Sequence, residues 1–518
     1  MKIAFVNDFS LQLGVQYISS ILKAGGHQTK LFMDPMLFDD DVITLRRLSR
    51  MFDFKKFIIR GLKAYKPDLI GMSVVTDFYY WACEIAQLIK REMDIPVIFG
   101  GIHPSSVPER VIKKNFVDMV CIGEGEYPML ELADSMAKGK IDYSIKNLWL
   151  KKDGKIIRNE LRPLIADLDR LPMPDKDIFY SQSPHYMRTY PYIVLTSRGC
   201  PYACSYCCHS YLKELYRGKG QYLRQRSVEN VIEELLLAKA KYGIRNVVFL
   251  DDCFGRDQKW FEKFATEYVS KIKLDYLCVM YPHDISPQIL CLLKTSGCKG
   301  IFLGIQSWNE DIRLNVLGRQ TPSRELLRAI RLVQDSRIDI MVDNIFDLPG
   351  LTKEDVLTSA RIYTEIKPTR IYYYMLRYYP NTRITGQASR EGWISKQRHE
   401  EILDGINAQS FAMGGDLANK NSVKYNLMFS LIDLLPKKIS KFMVNRRLYR
   451  YFPRFLSPPL ILILRNIFAR DLNARLLRES MIQRYFYFVM QKIRIELVSG
   501  LKRKQGNEKK EKAKDSLF

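Results

Sequence analysis

Arg198-Gly199-Cys200-Pro201-Tyr202-Ala203-Cys204-Ser205-Tyr206-Cys207 decides how the rest of this 518-residue chain is read. Three cysteines spaced CxxxCxxC on one loop can offer thiolates to three corners of a four-iron four-sulfur cube. The fourth iron then has no protein ligand and can bind a substrate or cosubstrate directly. Pro201 bars helix from the start of the run. The apolar stretch Tyr192-Ile-Val-Leu-Thr196 before it reads as a strand. A zinc knuckle would ask for four ligands from paired clusters, and the sequence has no second cluster. Cys200, Cys204 and Cys207 are therefore the expected metal ligands, with Cys208 expected to point elsewhere.

Outward from the loop, residues 190–393 alternate strand and helix patterns. Strands are expected at 193–196, 246–250, 274–280, 300–305, 338–346 and 371–376, with helix-length patterns between them. Six such repeats predict a parallel partial (β/α)6 barrel, whose chemistry gathers at the carboxyl ends of the strands. Polar clusters fall there: the cysteine loop, Asp251-Asp252, Gly304-Ile-Gln306-Ser307 and the turn Asp347–Gly350. Tyr372, Tyr373, Tyr374 and Arg377 end the sixth strand and could line a substrate pocket.

Residues 1–140 also alternate short strands and helices, which predicts a doubly wound parallel sheet, so the chain is α/β. Ligands bind such sheets at the carboxyl ends of strands. Four clusters occur there: Ser10–Gly14, Ser73–Thr76, Gly100-Gly101-Ile-His103 and Gly123-Glu124-Gly125-Glu126. No GxGxxG is present, which argues against a dinucleotide site. Residues 141–189, with Leu171-Pro-Met-Pro174 and Ser183-Pro184, read as a surface linker. Residues 394–518 read as a basic helical segment, with amphipathic stretches at 427–451 and 460–497 broken by Pro458-Pro459. A polar, disordered tail is expected at 502–514.

Ten cysteines, none after Cys298, do not form a disulfide framework and suit a reducing, cytoplasmic compartment. No apolar run reaches eighteen residues, so no spanning helix is expected. The net charge of +24 is concentrated at the end of the chain. From Asn421 onward there are 22 Lys and Arg against 7 Asp and Glu, a net of about +15. Such a segment suits an anionic surface, of lipid or of nucleic acid. Lipid at the inner membrane face is the expected partner, and nucleic acid is not. The competing reading is a helical cap that closes the barrel.

The cysteine loop, with Phe249-Leu-Asp251-Asp252-Cys-Phe254, Gly304–Ser307 and Asn344–Gly350, resembles the radical S-adenosylmethionine (SAM) enzymes. The upstream half, through its GGxHP and GEGE stretches, resembles a cobalamin-binding domain. Together they resemble the cobalamin-binding radical SAM proteins, the class of radical methyltransferases and anaerobic porphyrin-ester cyclases. The resemblance implies a 4Fe-4S cluster, SAM and methylcobalamin, and a low-potential donor of the flavodoxin or ferredoxin type. By resemblance, Asp251 or Asp252 faces the SAM amino group, Gly304, Gln306 and Ser307 the ribose or methionine end, and Tyr206 the adenine. Ser73, Thr76, Gly100, Gly101, His103, Gly123 and Glu124 are the implied cobalamin contacts. The chain lacks the DxHxxG motif of the branch that ligates cobalt through histidine, having Asn7-Asp8-Phe-Ser10 there, so no histidine is expected under cobalt. The implied chemistry is SAM cleavage to a 5′-deoxyadenosyl radical, with methylation of an unactivated carbon of a small-molecule or lipid substrate. Ring closure or carbon–carbon coupling with the same cofactors is the second reading. A cobalamin- or iron–sulfur-binding regulator without turnover is the third.

Overall fold

The computed structural model describes residues 1–39, 45–182, 190–406, 422–452, 467–468 and 471–515. The first sheet contains β1 (Lys2–Asn7), β2 (Gln28–Met33), β3 (Leu69–Ser73), β4 (Val97–Gly100) and β5 (Met119–Cys121), all parallel. β1 is buried along five of its six residues, as a strand covered on both faces must be. Its spatial order is β2-β1-β3-β4-β5, so the direction of winding reverses at β1 and β3. A crevice opens there at the strand carboxyl ends.

Two more strands continue the sheet, β6 (Leu148–Lys152) and β7 (Lys155–Arg158), both paired antiparallel. They correct the expectation of a plain linker over 141–189. Asp153 and Gly154 take φ of 47° and 75°, the paired positive values of a two-residue hairpin turn. The rest of the connector is also partly core, with Leu168, Leu171, Ile178, Phe179 and Tyr180 buried, and Ser183-Pro184 lies outside the described residues.

The second sheet is fully parallel: β8 (Tyr192–Val194), β11 (Asn246–Phe249), β12 (Asp275–Met280), β13 (Cys298–Gln306), β14 (Asp339–Phe346) and β15 (Arg370–Met375), neighbours in chain order. A small ribbon, β9 (Ser197–Arg198) with β10 (Arg224–Gln225), brackets the cysteine loop. The helices are delimited by local chemistry. Ser227 caps Val228–Tyr242 by accepting from the Asn230 amide, and Gly243 ends it at φ 61°. Thr352 and Asp355 form a reciprocal capping box on Lys353–Ile366. Val248, Leu277, Phe302, Met341 and Tyr372, one from each of five strands, form the apolar floor of the barrel lumen. By the two-residue period of a strand, Leu250, Gly304, Asp343 and Tyr374 stand above that floor or beside it on the same face.

The C-terminal segment is partly a cap. Helices Ser422–Leu434 and Lys437–Asn445, separated at Pro436, pack on β15 and on Lys353–Ile366, with Phe429 stacked on Phe346 at 4.8 Å. The last helix, Leu472–Asp515, sends Leu472 and Leu476 into the lumen floor. Asp471 at its start pairs with buried Arg370 at 2.9 Å. Farther along it reaches the first domain, where Phe488 packs on Phe54 and Lys492 donates to the Asp53 carbonyl at 2.7 Å. It continues helical where disorder was expected, because Lys and Glu are strong helix formers. The apolar run Leu460–Leu464 and Pro458-Pro459 lie outside the described residues.

Candidate cofactor and active site

The cysteine loop is held largely by backbone contacts. Gly199 has φ 90°, and a Cβ there would lie 2.3 Å from the Tyr222 carbonyl oxygen, so only glycine fits. The Ser205 amide donates to the Leu317 carbonyl at 2.9 Å and its hydroxyl to the Val316 carbonyl at 2.6 Å. The Cys207 amide donates to the Cys204 carbonyl at 3.1 Å. Cys207 is also the N-cap of helix Cys208–Leu215, and the neighbouring Cys208 thiol and burial push its own thiol up. Burial pushes the Cys204 thiol up, Arg319 pulls it down, and both Cys207 and Cys200 act on it electrostatically. The three expected ligands are therefore brought together, and their soft sulfur donors suit an iron–sulfur cluster.

Two further cysteines stand beside them. Cys208 was expected to point away. Instead its sulfur lies with those of Cys207 and a ring nitrogen of His209, all within 4.8 Å of one another. Cys253, after Asp252, neighbours the Cys200 thiol and draws it below its ordinary value.

Asp251 does not face the lumen. It is 1% exposed and accepts from the Thr196 amide at 3.0 Å and the Thr196 hydroxyl at 2.8 Å, which ties the end of β11 to the end of β8. Asp252 is exposed at the rim, where His209 Nε2 stands 2.9 Å away. Of the two carboxylates, Asp252 is the one open to a ligand. A Cβ on Gly304 would lie 2.6 Å from Gln306 Nε2 and 3.1 Å from an Arg319 guanidinium nitrogen, so a larger residue would push both side chains aside. Gln306 sits at φ 67° where β13 slips register against β14, and it stays half-buried at the mouth. Ser307 turns inward and accepts from the Asn309 amide, so its role is in the turn rather than toward SAM. Tyr206 is packed beside Leu317, Leu348 and Tyr378 and hydrogen-bonds Cys204. Tyr373 points out to Ser430 at 2.6 Å, and Arg377 pairs with Asp77 of the first domain, so neither lines the lumen.

Sequence reading missed the cation of this site. Arg319 is 6% exposed, stands 3.9 Å from Cys204 Sγ, donates to the Gly304 carbonyl at 2.7 Å and lies 4.2 Å over the Tyr281 ring. Asp343, level with Gly304 on the next strand, is a second omission. Burial pushes its carboxyl up to about 7, with Arg319 opposing.

The first domain carries a cavity of about 250 Å³ at the reversal of winding. Ser73, Gly100, Gly101, Gly123 and Glu124 line it, as expected, together with Gly14 and Gly71, and apolar Phe5, Ile98 and Met129. A Cβ on Gly14 would meet nothing within 4 Å, so that wall is open to an incoming group. Leu195 and Arg198 of the barrel complete the cavity. Glycine walls with an apolar base fit a bulky corrinoid arm. Three expected contacts have other duties. The Glu124 carboxylate holds Arg224 at 2.8 Å and Arg198 at 3.1 Å, while Glu126 holds Arg198 at 2.6 Å. His103 is fully buried, its ring tilted against Tyr79 with centroids 4.0 Å apart, and Nδ1 lies 3.2 Å from the Thr76 hydroxyl. Burial lowers its pKa to about 3. His103 and Thr76 therefore brace the loop behind the cavity, outside its lining.

Residues 194–362 match the family model described as the radical SAM superfamily, and residues 6–133 that of the B12 binding domain. This chain is a cobalamin-binding radical SAM protein. An uncharacterised methyltransferase of Pyrococcus horikoshii is 27% identical over 72% of this chain and 77% of its own length. The anaerobic magnesium-protoporphyrin IX monomethyl ester cyclase of Rubrivivax gelatinosus is 25% identical over 68% of this chain and 62% of its own. The fold is that of the radical SAM methyltransferase TsrM from Kitasatospora setae, solved with cobalamin and a [4Fe-4S] cluster bound. That match has TM-score 0.60 and 20% identity, over 75% of this chain and 78% of that one. In this cobalamin-binding radical SAM protein the barrel domain is the one that takes the cluster and SAM, and the first domain the one that takes cobalamin. Cys200, Cys204 and Cys207 would hold the cluster, and the glycine-lined cavity the corrinoid.

Proposed function

We propose that this protein is a cobalamin-dependent radical SAM C-methyltransferase acting on an unactivated carbon of a hydrophobic substrate. One observation carries the reading: Arg198, which walls the cobalamin cavity, is two residues from Cys200. The two cofactor sites therefore share one short segment of chain. When bound, the cluster and SAM supply a radical that removes a hydrogen atom, and methylcobalamin supplies the methyl group. The chain's own work is to position and to exclude water. Arg319 compensates negative charge at Cys204 in a buried setting where such a charge acts strongly. Phe302, Tyr372 and Tyr374 give the lumen an aromatic wall suited to an apolar substrate.

A hydrophobic substrate accords with a peripheral position on an anionic membrane. No helix of the described residues is long and apolar enough to cross one. The last helix instead turns Ile482, Phe486, Met490 and Ile493 to solvent, each more than 40% exposed and spaced along one face. Arg475 and Arg494 flank that stripe. The chemistry also requires a low-potential one-electron donor.

The test is anaerobic reconstitution with methyl-labelled SAM and a lipid extract of the host, followed by mass spectrometry. A product carrying the labelled methyl supports methyl transfer. 5′-Deoxyadenosine with an unlabelled, more unsaturated or cyclised product favours ring closure, the reaction named for the Rubrivivax relative. No 5′-deoxyadenosine under any reductant would leave a binding regulator.

A further inference from the structure

Among the described strand residues, the lumen face of the barrel sheet carries few charges, and most are spent at its plugged end. Asp275 at the start of β12 pairs with Lys299 at 3.3 Å, and Asp339 at the start of β14 accepts from the Thr369 hydroxyl at 3.1 Å. Arg370 at the start of β15 pairs with Asp471 at 2.9 Å. Each precedes the apolar floor along its strand, since Leu277, Met341 and Tyr372 come two residues later on the same face. Asp343 comes two residues after Met341. It therefore stands on the far side of the floor, toward the carboxyl ends of the strands.

Asp343 has no hydrogen bond or ion pair among the described residues. Arg319 acts on it electrostatically, but turns its guanidinium to the Gly304 carbonyl at 2.7 Å and to Cys204 Sγ at 3.9 Å. The parallel register sets Asp343 level with Gly304 on one side and Tyr372 on the other. Glycine leaves space beside the carboxylate, and the side chain is half-buried rather than sealed. The rings of Tyr372 and Tyr374 lie 6° apart in plane with centroids 6.5 Å apart, and Tyr374 is 39% exposed. A carboxylate without a partner in such apolar surroundings is costly, and burial pushes its pKa up. A ligand that brings a cation removes that cost, and aromatic faces attract the same charge.

We propose that Asp343 recognises the substrate, and that the substrate is a hydrophobic molecule carrying an ammonium group. Its apolar part would lie on the aromatic wall and its nitrogen on the carboxylate. The inference rests on the reading above that the lumen takes the substrate, and it narrows the substrate class within that reading. Asp343 fixes which carbon is presented, and no proton, electron or group passes through it.

The probe is n-octylamine, compared with n-octanol and octanoate, which match it in length and differ in charge. Calorimetric titration of the purified full-length protein measures all three without turnover. The wild type should bind the amine at least about ten-fold more tightly than the alcohol, and octanoate most weakly. A protein of net charge +24 repels ammonium over most of its surface, so general electrostatics would give the opposite order. Asp343→Asn should lose the preference for the amine and bind the alcohol as before, whereas Asp343→Glu should keep the preference. Equal affinity of the wild type for amine and alcohol, or a preference that survives in Asp343→Asn, would overturn the proposal. So would loss of alcohol binding together with amine binding in both variants, which would make Asp343 a support of the wall. SAM affinity of the cluster-reconstituted Asp343→Asn protein should stay within about two-fold of the wild type. A loss of about ten-fold would give the carboxylate to SAM and overturn the substrate assignment. Absence of 5′-deoxyadenosine from the reconstituted wild type would instead count against the radical SAM reading, and the octylamine comparison would still decide this one.

Discussion

Arg319 is a buried cation 3.9 Å from the sulfur of Cys204, and with Cys204 on a cluster its charge would favour whichever cluster state is more negative. Arg319→Gln should therefore lower the cluster reduction potential, by at least about 60 mV, the one-electron equivalent of a tenfold change. Arg319→Lys should fall between the two. Potentiometric titration followed by paramagnetic resonance measures this, and an unmoved potential would refute the role. Cys200→Ala, Cys204→Ala and Cys207→Ala together should abolish iron–sulfur absorbance and SAM cleavage. Cys208→Ala should leave both in place, although the Cys208 sulfur is close to Cys207. Asp343 sets a pH dependence with a definite sign. Its folded pKa, about 7, lies above the unfolded value of 3.8, so the folded state binds the extra proton between them. Stability contributed by protonated Asp343 is complete below about pH 4 and is lost as pH rises through 7. Relative to Asp343→Asn, the wild type should lose stability over that window by at most about 1.4 kcal/mol per pH unit. Parallel melting curves of the two proteins would expose the error. The three cysteines stand out in the sequence because cluster chemistry fixes their spacing. Arg319 does not, since a π-helical turn at Ile312–Val316 and Gly318 at φ 60° bring it to Cys204. Asp251 looked like a ligand because nothing local says that Thr196 and Ser197, over fifty residues earlier, would take both its oxygens.

Strands and helices with a clean period were read closely. β14 was expected at 338–346 and runs Asp339–Phe346, its apolar Ile340-Met341-Val342 and Ile345-Phe346 marking the strand on either side of Asp343-Asn344. The β6–β7 hairpin was missed although Asp153-Gly154 between two apolar stretches is a hairpin signal, because the prolines farther along the connector dominated its reading. The C-terminal segment left two readings open, and the last helix divides them by face. Arg484 and Phe488 are buried against the first domain, whereas Ile482, Phe486 and Met490 on the opposite side have no covering layer among the described residues. Replacing those three by Ser keeps the buried face and the lumen plug. The variant should bind anionic vesicles much more weakly than the wild type in co-sedimentation, with the residual binding removed by salt. Equal binding by both proteins would remove the helix from the membrane contact.

At the scale of the whole molecule, the two domains are joined across the cofactor space by ion pairs. Arg198 and Arg224 of the barrel hold Glu124 and Glu126, and Arg377 with Tyr379 holds Asp77. Glu124 is then not free to serve as a cobalt ligand, and His103 lies outside the cavity lining. The purified protein should bind cobalamin, and paramagnetic resonance of its cob(II)alamin form should show no splitting from an imidazole nitrogen. Splitting of that kind would place His103 in the cavity, against its packing on Tyr79. The general plan of two α/β domains was legible in the sequence. Their joint was not, because each partner of these pairs is distant in the chain and looks individually like a ligand group. Arg198 has a further consequence. It belongs at once to the wall of one cofactor cavity and to the approach of the loop that holds the other. A group that orders this arginine on one side lowers the cost of ordering the cysteine loop on the other, and the coupling must run equally in both directions. Whatever factor corrinoid binding adds to the affinity of the cluster-loaded barrel for SAM, SAM must return to the affinity for corrinoid.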